Sequence, residues 1–286
     1  MTRVRAYSQL IKMRLSLLVV FSAIFGYMMA PNVVGFDLVT ILWLSLGGML
    51  VTGASNSLNQ ILEVEYDAQM KRTANRPLVT GSIGVPEAVG FALICAAGGI
   101  AILALVFEGI VPALLGIIAL LSYAFVYTPM KRISPIAVLI GAFPGAMPAL
   151  IGWSAATGGL EAGAWVLFLI QFIWQFPHFW AIGWVQDEAY TGAGFKMLPG
   201  NSGPSRYTAT LIMIYSFLLI PVGLLPLNLG MIGWFGFAVL AIAGLGFTYK
   251  AYSLYNKLNS KAALGVMFAS FIYLPVVQIT MMIDKF

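Results

Sequence analysis

Asn59, Glu63 and Asp67 recur at four-residue intervals, and Asn56 stands three residues before the first of them. On a helix that spacing places two amides and two carboxylates on one face. Carboxylates one turn apart, about 6 Å, repel by roughly 3 kcal/mol at an effective dielectric near 20. Pairing with Lys71, protonation or a divalent cation would each relieve the repulsion. The accompanying amides favour the cation, because oxygen donors without His or Cys form a hard ligand set suited to Mg2+. Bound Mg2+ is commonly completed by phosphate oxygens, and Lys71, Arg72 and Arg76 follow directly with the donors such oxygens need. Acids for a metal beside bases for oxyanions imply a diphosphate ligand. Glu65 lies off the shared face and is expected in solvent.

A second group comes later in the chain. Asp187 and Glu188 end an apolar run that contains His178, the only histidine, with Gln171, Trp174 and Gln175 on the same stripe. A second carboxylate pair would suit a second Mg2+ across the diphosphate. On a straight helix Asp187 falls about 180° from His178 and Glu188 about 80° away. Convergence therefore requires a break near Gly183 or after Trp184. Polar side chains inside a span are functional candidates, and Pro177 is expected to kink this one. Between the two groups, Lys131 and Arg132 are further phosphate-binding candidates. The following run carries Gly141, Pro144, Gly145, Pro148 and Gly152, a composition suited to a bent span lining a cavity.

The elements that position these residues are membrane spans. The 286 residues are 60% hydrophobic and 9% charged, against roughly 25% charged in a soluble domain, which excludes a water-soluble globule. Apolar runs have helical rather than barrel-strand length. They fall at about 15–30, 38–58, 87–107, 109–127, 135–156, 163–184, 208–227, 230–249 and 262–283. The expectation is an all-α polytopic bundle of nine spans forming one domain over residues 1–286. The basic N-terminal segment reads as the start of a retained first span. Links 59–86 and 185–207 are longer than chain reversal needs. Of the 15 Lys and Arg residues, only Lys285 falls opposite the rest. The positive-inside rule then puts the N-terminus and both acidic groups on the cytoplasmic side and the C-terminus outside. The single Cys95 excludes a disulfide within the chain.

The Asn59-x3-Glu63-x3-Asp67 pattern resembles the first acidic motif of the UbiA superfamily of intramembrane prenyltransferases. MKRTANRPLVTG (70–81), YTPMKRISP (127–135), GAMPALIGW (145–153), FPHFWAIGW (176–184) and AGFKMLP (193–199) are similar to blocks of its protoheme IX farnesyltransferase, or heme O synthase, branch. The likeness runs from about residue 10 to the C-terminus. It departs at Asp187-Glu188-Ala189-Tyr190, where alanine stands in place of the second acid of the usual Asp-Asp-Tyr or Glu-Asp-Tyr. Asp187 or Glu188 is left to carry that role.

The resemblance implies a Mg2+-dependent transfer of farnesyl from farnesyl diphosphate to a vinyl group of heme b. Asn59, Glu63, Asp67, Asp187 and Glu188 would hold the metal, and Lys71, Arg72, Arg76, Lys131 and Arg132 the diphosphate. Trp174, Gln175, His178, Tyr127 and Tyr190 would line the heme and prenyl pocket. It implies a bacterial inner membrane, membrane lipid as surroundings, no nucleic-acid partner, and a heme-modifying enzyme or oxidase assembly downstream. A relative that prenylates a quinone precursor would share the metal chemistry. A transporter would instead place its ionisable groups near the bilayer midplane.

Overall fold

The computed structural model describes residues 2–200 and 203–285. Within these the chain is helical, apart from turns and an isolated bridge between Ile232 and Lys285. A short helix α1 (Arg3–Leu10) meets α2 (Met13–Met29) at a bend of 49°. Then come α3 (Leu38–Leu62), α4 (Val64–Asp67) and α5 (Val85–Leu105). Next, α6 (Val111–Leu121) runs through a π-helical turn, Ser122–Tyr127, into α7 (Thr128–Ile133). The chain continues with α8 (Ala137–Thr157), α9 (Ala162–Val185), α10 (Asp187–Gly192), α11 (Arg206–Val222), α12 (Leu224–Asn228), α13 (Trp234–Lys257) and α14 (Ser260–Ile283). Among the described residues eight helical stretches are long and apolar enough to cross a membrane, and the bent α1–α2 pair, taken as one span, makes nine.

Local chemistry explains where several helices begin and end. Asp37 caps α3 by accepting from the amides of Val39 and Thr40, and Ser205 and Asn259 do the same for α11 and α14. Pro86 and Pro112 occupy first-turn positions, where a missing N–H costs nothing. Two helix ends differ most from the hydropathy windows. The fourth span continues to Ile133, so Lys131 and Arg132 are helical rather than in the loop after it. The eighth continues to Lys257, because long basic side chains can extend an amphipathic end beyond the apolar core.

Helix α8 is the axis of the bundle, packed against α2, α6 and α9. It is 78% buried across its apolar window, against 28% for α5, α11 and α13, whose outer faces are left to lipid. Its Gly152 sits where a Cβ would overlap the carbonyl oxygen of Ala23, and a Cβ at Gly26 on α2 would overlap the carbonyl of Ala149. Small residues let the two backbones touch, as membrane helices require in the absence of a hydrophobic drive between them. At the opposite end from the acidic motifs, Lys285 donates to the carbonyls of Met28, Ala30 and Val33 at 2.8, 2.7 and 2.7 Å. The one base outside the main charged end therefore caps α2.

Replacing Gly152 by Val should lower the unfolding midpoint in detergent, at a cost of about 1–3 kcal/mol or more from overpacking. Gly90→Ala, where nothing stands within 4 Å, serves as the neutral comparison. Equal melting of the two variants would show that α2 and α8 have room to spare.

Candidate active site

Helix α3 breaks at Glu63, whose backbone (φ −112°, ψ 9°) leaves the helical region before α4 resumes for one turn. The break keeps Glu63 and Asp67 turned inward, 4% and 1% exposed. Asn59 donates through Nδ2 to Glu63 Oε2 at 2.9 Å and to Thr128 Oγ1 at 3.1 Å, while its Oδ1 accepts from Lys12 Nζ at 2.8 Å. Glu63 is ion-paired with Lys131, and Asp67 with Arg76. The alternative of pairing with Lys71 does not form among the described residues; Lys71 is exposed, and the base reaching Glu63 comes from a different span. Lys12, Arg76 and Lys131 against Glu63 and Asp67 leave one positive charge in excess. Asp67 Oδ1 is buried without a hydrogen-bond donor. Burial raises the Asp67 carboxyl above its ordinary range, with the Arg76 guanidinium opposing.

Aromatic rings complete this end. The π-helical turn sets Tyr123 and Tyr127 with centroids 5.2 Å apart, and insertions of this kind recur where a helix must re-aim side chains. Lys131 Nζ lies 5.0 Å from the Tyr127 ring centre and 5.4 Å from that of Phe195. Arg132 sits over Tyr66 at 4.6 Å and donates to its hydroxyl at 2.6 Å. The amide of Lys196 donates to the Lys131 carbonyl at 2.7 Å, pinning the segment after α10 to α7.

The second acidic group is placed differently from expectation. Helix α9 breaks at Gln186 (φ −106°, ψ 14°), two residues beyond Trp184. Glu188 is exposed, and Asp187 lines a cavity of about 650 Å³ with Thr191 and Lys196. Burial raises the Asp187 carboxyl, and a hydrogen bond from Thr191 opposes that shift. Among the described residues no three His, Cys, Asp or Glu side chains converge. What α10 brings to the first motif is Tyr190, whose hydroxyl accepts from Arg72 Nη2 at 3.4 Å.

The polar stripe of α9 also divides. Gln171 and Gln175 donate to the carbonyls of Gly145 and Ala142 on α8 at 3.2 and 3.0 Å. Trp174 donates to the Ser270 carbonyl at 2.9 Å, and His178 Nδ1 meets Ser270 Oγ at 2.8 Å, both on α14. The helix is wedged between two neighbours, so residues one turn apart serve opposite sides. Pro177 is accommodated without interrupting it.

An apolar cavity of about 110 Å³ opens between α2, α3, α6 and α8, lined among others by Leu15, Ala23, Gly48, Thr52, Tyr123 and Pro148. Leu15 to Ala23 and Gly48 to Asn56 each span about 12 Å at the helical rise. None of Trp174, Gln175, His178, Tyr127 and Tyr190 lines it; Tyr123, one turn before Tyr127, does. Pro144, Gly145 and Pro148 line it as the Gly/Pro-rich composition suggests.

A sequence model described as the UbiA prenyltransferase family matches residues 19–272. The chain belongs to that family. It is 46% identical over 283 residues to a protoheme IX farnesyltransferase of Cytophaga hutchinsonii, covering 98% of each chain. It is 40% identical to one of Christiangramia forsetii, covering 98% of this chain and 93% of that one. Among solved structures, a digeranylgeranylglyceryl phosphate synthase superposes with a TM-score of 0.81 at 21% identity, covering 99% of each chain. A UbiA homologue of Archaeoglobus fulgidus bound to GPP and Mg2+ gives 0.71 at 17% identity, covering 96% of this chain and 99% of that one. These two likenesses establish the shared fold.

In this UbiA prenyltransferase, sequence reasoning missed Lys12, Thr128 and Tyr123. Lys12 reads as a topological charge, and its bond to Asn59 spans 47 positions, beyond any local periodicity. Asn56 was grouped with the metal-facing residues; instead its Nδ2 donates to the Ile11 carbonyl at 3.1 Å and to Ser16 Oγ at 3.2 Å.

Lys131→Met strips Glu63 of its cation and should cost roughly 3–5 kcal/mol, the penalty of an uncompensated buried charge. Adding Glu63→Gln should recover much of that loss. A double-mutant cycle of thermal stability in detergent checks the pair, and purely additive losses would show that the two side chains do not interact.

Proposed function

We propose that the chain transfers the farnesyl group of farnesyl diphosphate to the 2-vinyl group of heme b with addition of water, giving heme O and diphosphate. The observation carrying this reading is a buried cluster of two acids and three bases set one helical turn from an apolar cavity with the reach of a short isoprenoid chain. The names of the curated relatives support heme as the acceptor.

The donor set fits Mg2+. Its ligands are oxygens, and Asp67 keeps a buried carboxylate oxygen free of any donor. Asn59, Glu63 and Asp67 would hold the ion, with Asp187 or Glu188 as the second group, whose approach requires α10 to move toward the first motif. When bound, Mg2+ supplies charge neutralisation for the diphosphate. Lys131, Arg76 and Lys12 do the same from the protein, with Arg72 and Arg132 at the rim and Lys71 in solvent beyond them. They stabilise the charge that develops on the leaving oxygen as the bond to farnesyl C1 breaks. Tyr127 lies under Lys131, and Tyr123, packed against Tyr127, lines the apolar cavity; the two rings shield an allylic cation from water. The vinyl carbon then bonds to farnesyl C1, and water adds to the resulting cation with loss of a proton.

Basic residues gathered at one end support a cytoplasmic active site in a bacterial inner membrane, with one prenyltransferase domain over the whole chain. His178 and Trp174 bond to Ser270 of α14 and do not line the apolar cavity. The product would pass to a heme-modifying enzyme or oxidase assembly.

Purified protein given Mg2+, heme b and farnesyl diphosphate should yield a more hydrophobic heme on reversed-phase chromatography. Product formed only with 4-hydroxybenzoate as acceptor would move the assignment to a quinone precursor. Asp67→Asn should lower turnover by at least about a hundredfold while the protein stays folded, because it removes an anionic ligand without changing shape. Near-normal activity of that variant at limiting Mg2+ would sink the metal assignment.

A further inference from the structure

A third cavity, about 590 Å³, lies between the α1–α2 elbow and the turn at residues 71–76. Arg5, Lys12, Arg14, Arg72 and Arg76 line it, and no acidic residue does. Among the described residues only Arg76 of these five is ion-paired. Orientation in the membrane requires positive charge on this side, but not convergence of that charge on one cavity. Convergence comes from the bend, where Lys12 takes a left-handed backbone (φ 50°), costly for a residue with a side chain. The bend is held from outside. Gln60 Nε2 donates to the carbonyls of Gln9 and Leu10 at 3.1 and 2.7 Å, Asn56 Nδ2 to that of Ile11 at 3.1 Å, and Arg3 is ion-paired with Glu87. Two α3 amides thus satisfy the Leu10 and Ile11 carbonyls at the break and add to that of Gln9, which also accepts from the Lys12 amide.

The geometry points to this cavity as the dock for the carboxylates of the acceptor, an inference that rests on heme b being that acceptor. Leu15 lines both this cavity and the apolar one, so a ligand seated here abuts the head of a prenyl chain. Lys12 and Arg76 belong both to the cavity wall and to the buried acid cluster, whereas Lys131, the base on Glu63, lies outside the wall. Heme carries its two carboxylates on one edge and its vinyl groups away from them. Guanidinium groups bind carboxylates bidentately, and Arg5 and Arg14 are exposed and free to do so. Exposed Met13 and Leu15 give the macrocycle an apolar border toward lipid. Carboxylates held by Arg5 and Arg14 direct the vinyl edge inward, toward the departing diphosphate.

The test is steady-state kinetics of the full chain in lipid nanodiscs. Arg5→Gln with Arg14→Gln should raise the KM for heme b about tenfold to a hundredfold, the worth of charge-assisted hydrogen bonds, and leave the KM for farnesyl diphosphate unchanged. The wild type should show the same weakened KM for the dimethyl ester of heme b, and the double variant should not distinguish ester from free acid. Arg5→Lys with Arg14→Lys, which keeps the charge and the topology, should fall between. A raised KM for farnesyl diphosphate instead would assign the cavity to the prenyl donor. A dependence on anionic lipid that disappears in the variant, with the heme KM unmoved, would assign it to a lipid headgroup. Unchanged constants for both substrates would reduce the arginines to orientation. Each of these overturns the inference while leaving the proposed reaction standing, whereas a wild type that forms no heme product overturns the reaction itself.

Discussion

Two carboxylates buried at the end of a membrane bundle are the constraint around which the rest is arranged. Left unpaired, two buried carboxylates there would carry a desolvation cost that outweighs anything the surrounding apolar side chains return. Each is answered by a cation from elsewhere in the chain, Lys131 from the end of the fourth span and Arg76 from the turn after α4. Lys12 reaches the same group through Asn59. The three bases oblige the first, second and fourth spans to meet at this end, whatever the packing deeper in the bilayer.

The pairing has a functional consequence. In the proposed reaction, a cluster in which bases already hold acids would stand between two partnerships, one internal and one with a phosphorylated ligand and its metal. Buried acids that keep an unused lone pair, as Asp67 does, and bases with further donors to offer can exchange partners without any charge being left alone. The apolar cavity begins beside this cluster rather than across the bundle, the arrangement that the proposed prenyl diphosphate, ionised at one end and apolar at the other, would need.

Tight and loose regions divide along the same lines. Helices α2 and α8 approach backbone to backbone through Gly26 and Gly152, which gives the cavity a rigid wall. The breaks at Lys12, Glu63 and Gln186 all fall at the charged end. Helix interruptions beside lipid are tolerated only where other groups satisfy the backbone, and here Asn56 and Gln60 do so for the first of them.

Much of this was legible in the residues themselves. Run lengths defined the spans because bilayer thickness is a one-dimensional constraint, and the four-residue spacing of Asn59, Glu63 and Asp67 placed them together because a helix repeats locally. The Gly/Pro pattern of α8 identified a cavity wall for the same reason. Other features depended on which helix neighbours which. Lys131 rather than Lys71 answers Glu63, Tyr123 rather than Tyr127 lines the cavity, and His178 turns to Ser270 while Gln175, one turn away, turns to α8. Sequence alone determined the solvent, the elements and the chemical classes of side chain at each end. Tertiary structure decided the pairings, because contacts across tens of positions are set by packing in three dimensions, and hydropathy along the chain carries no record of them.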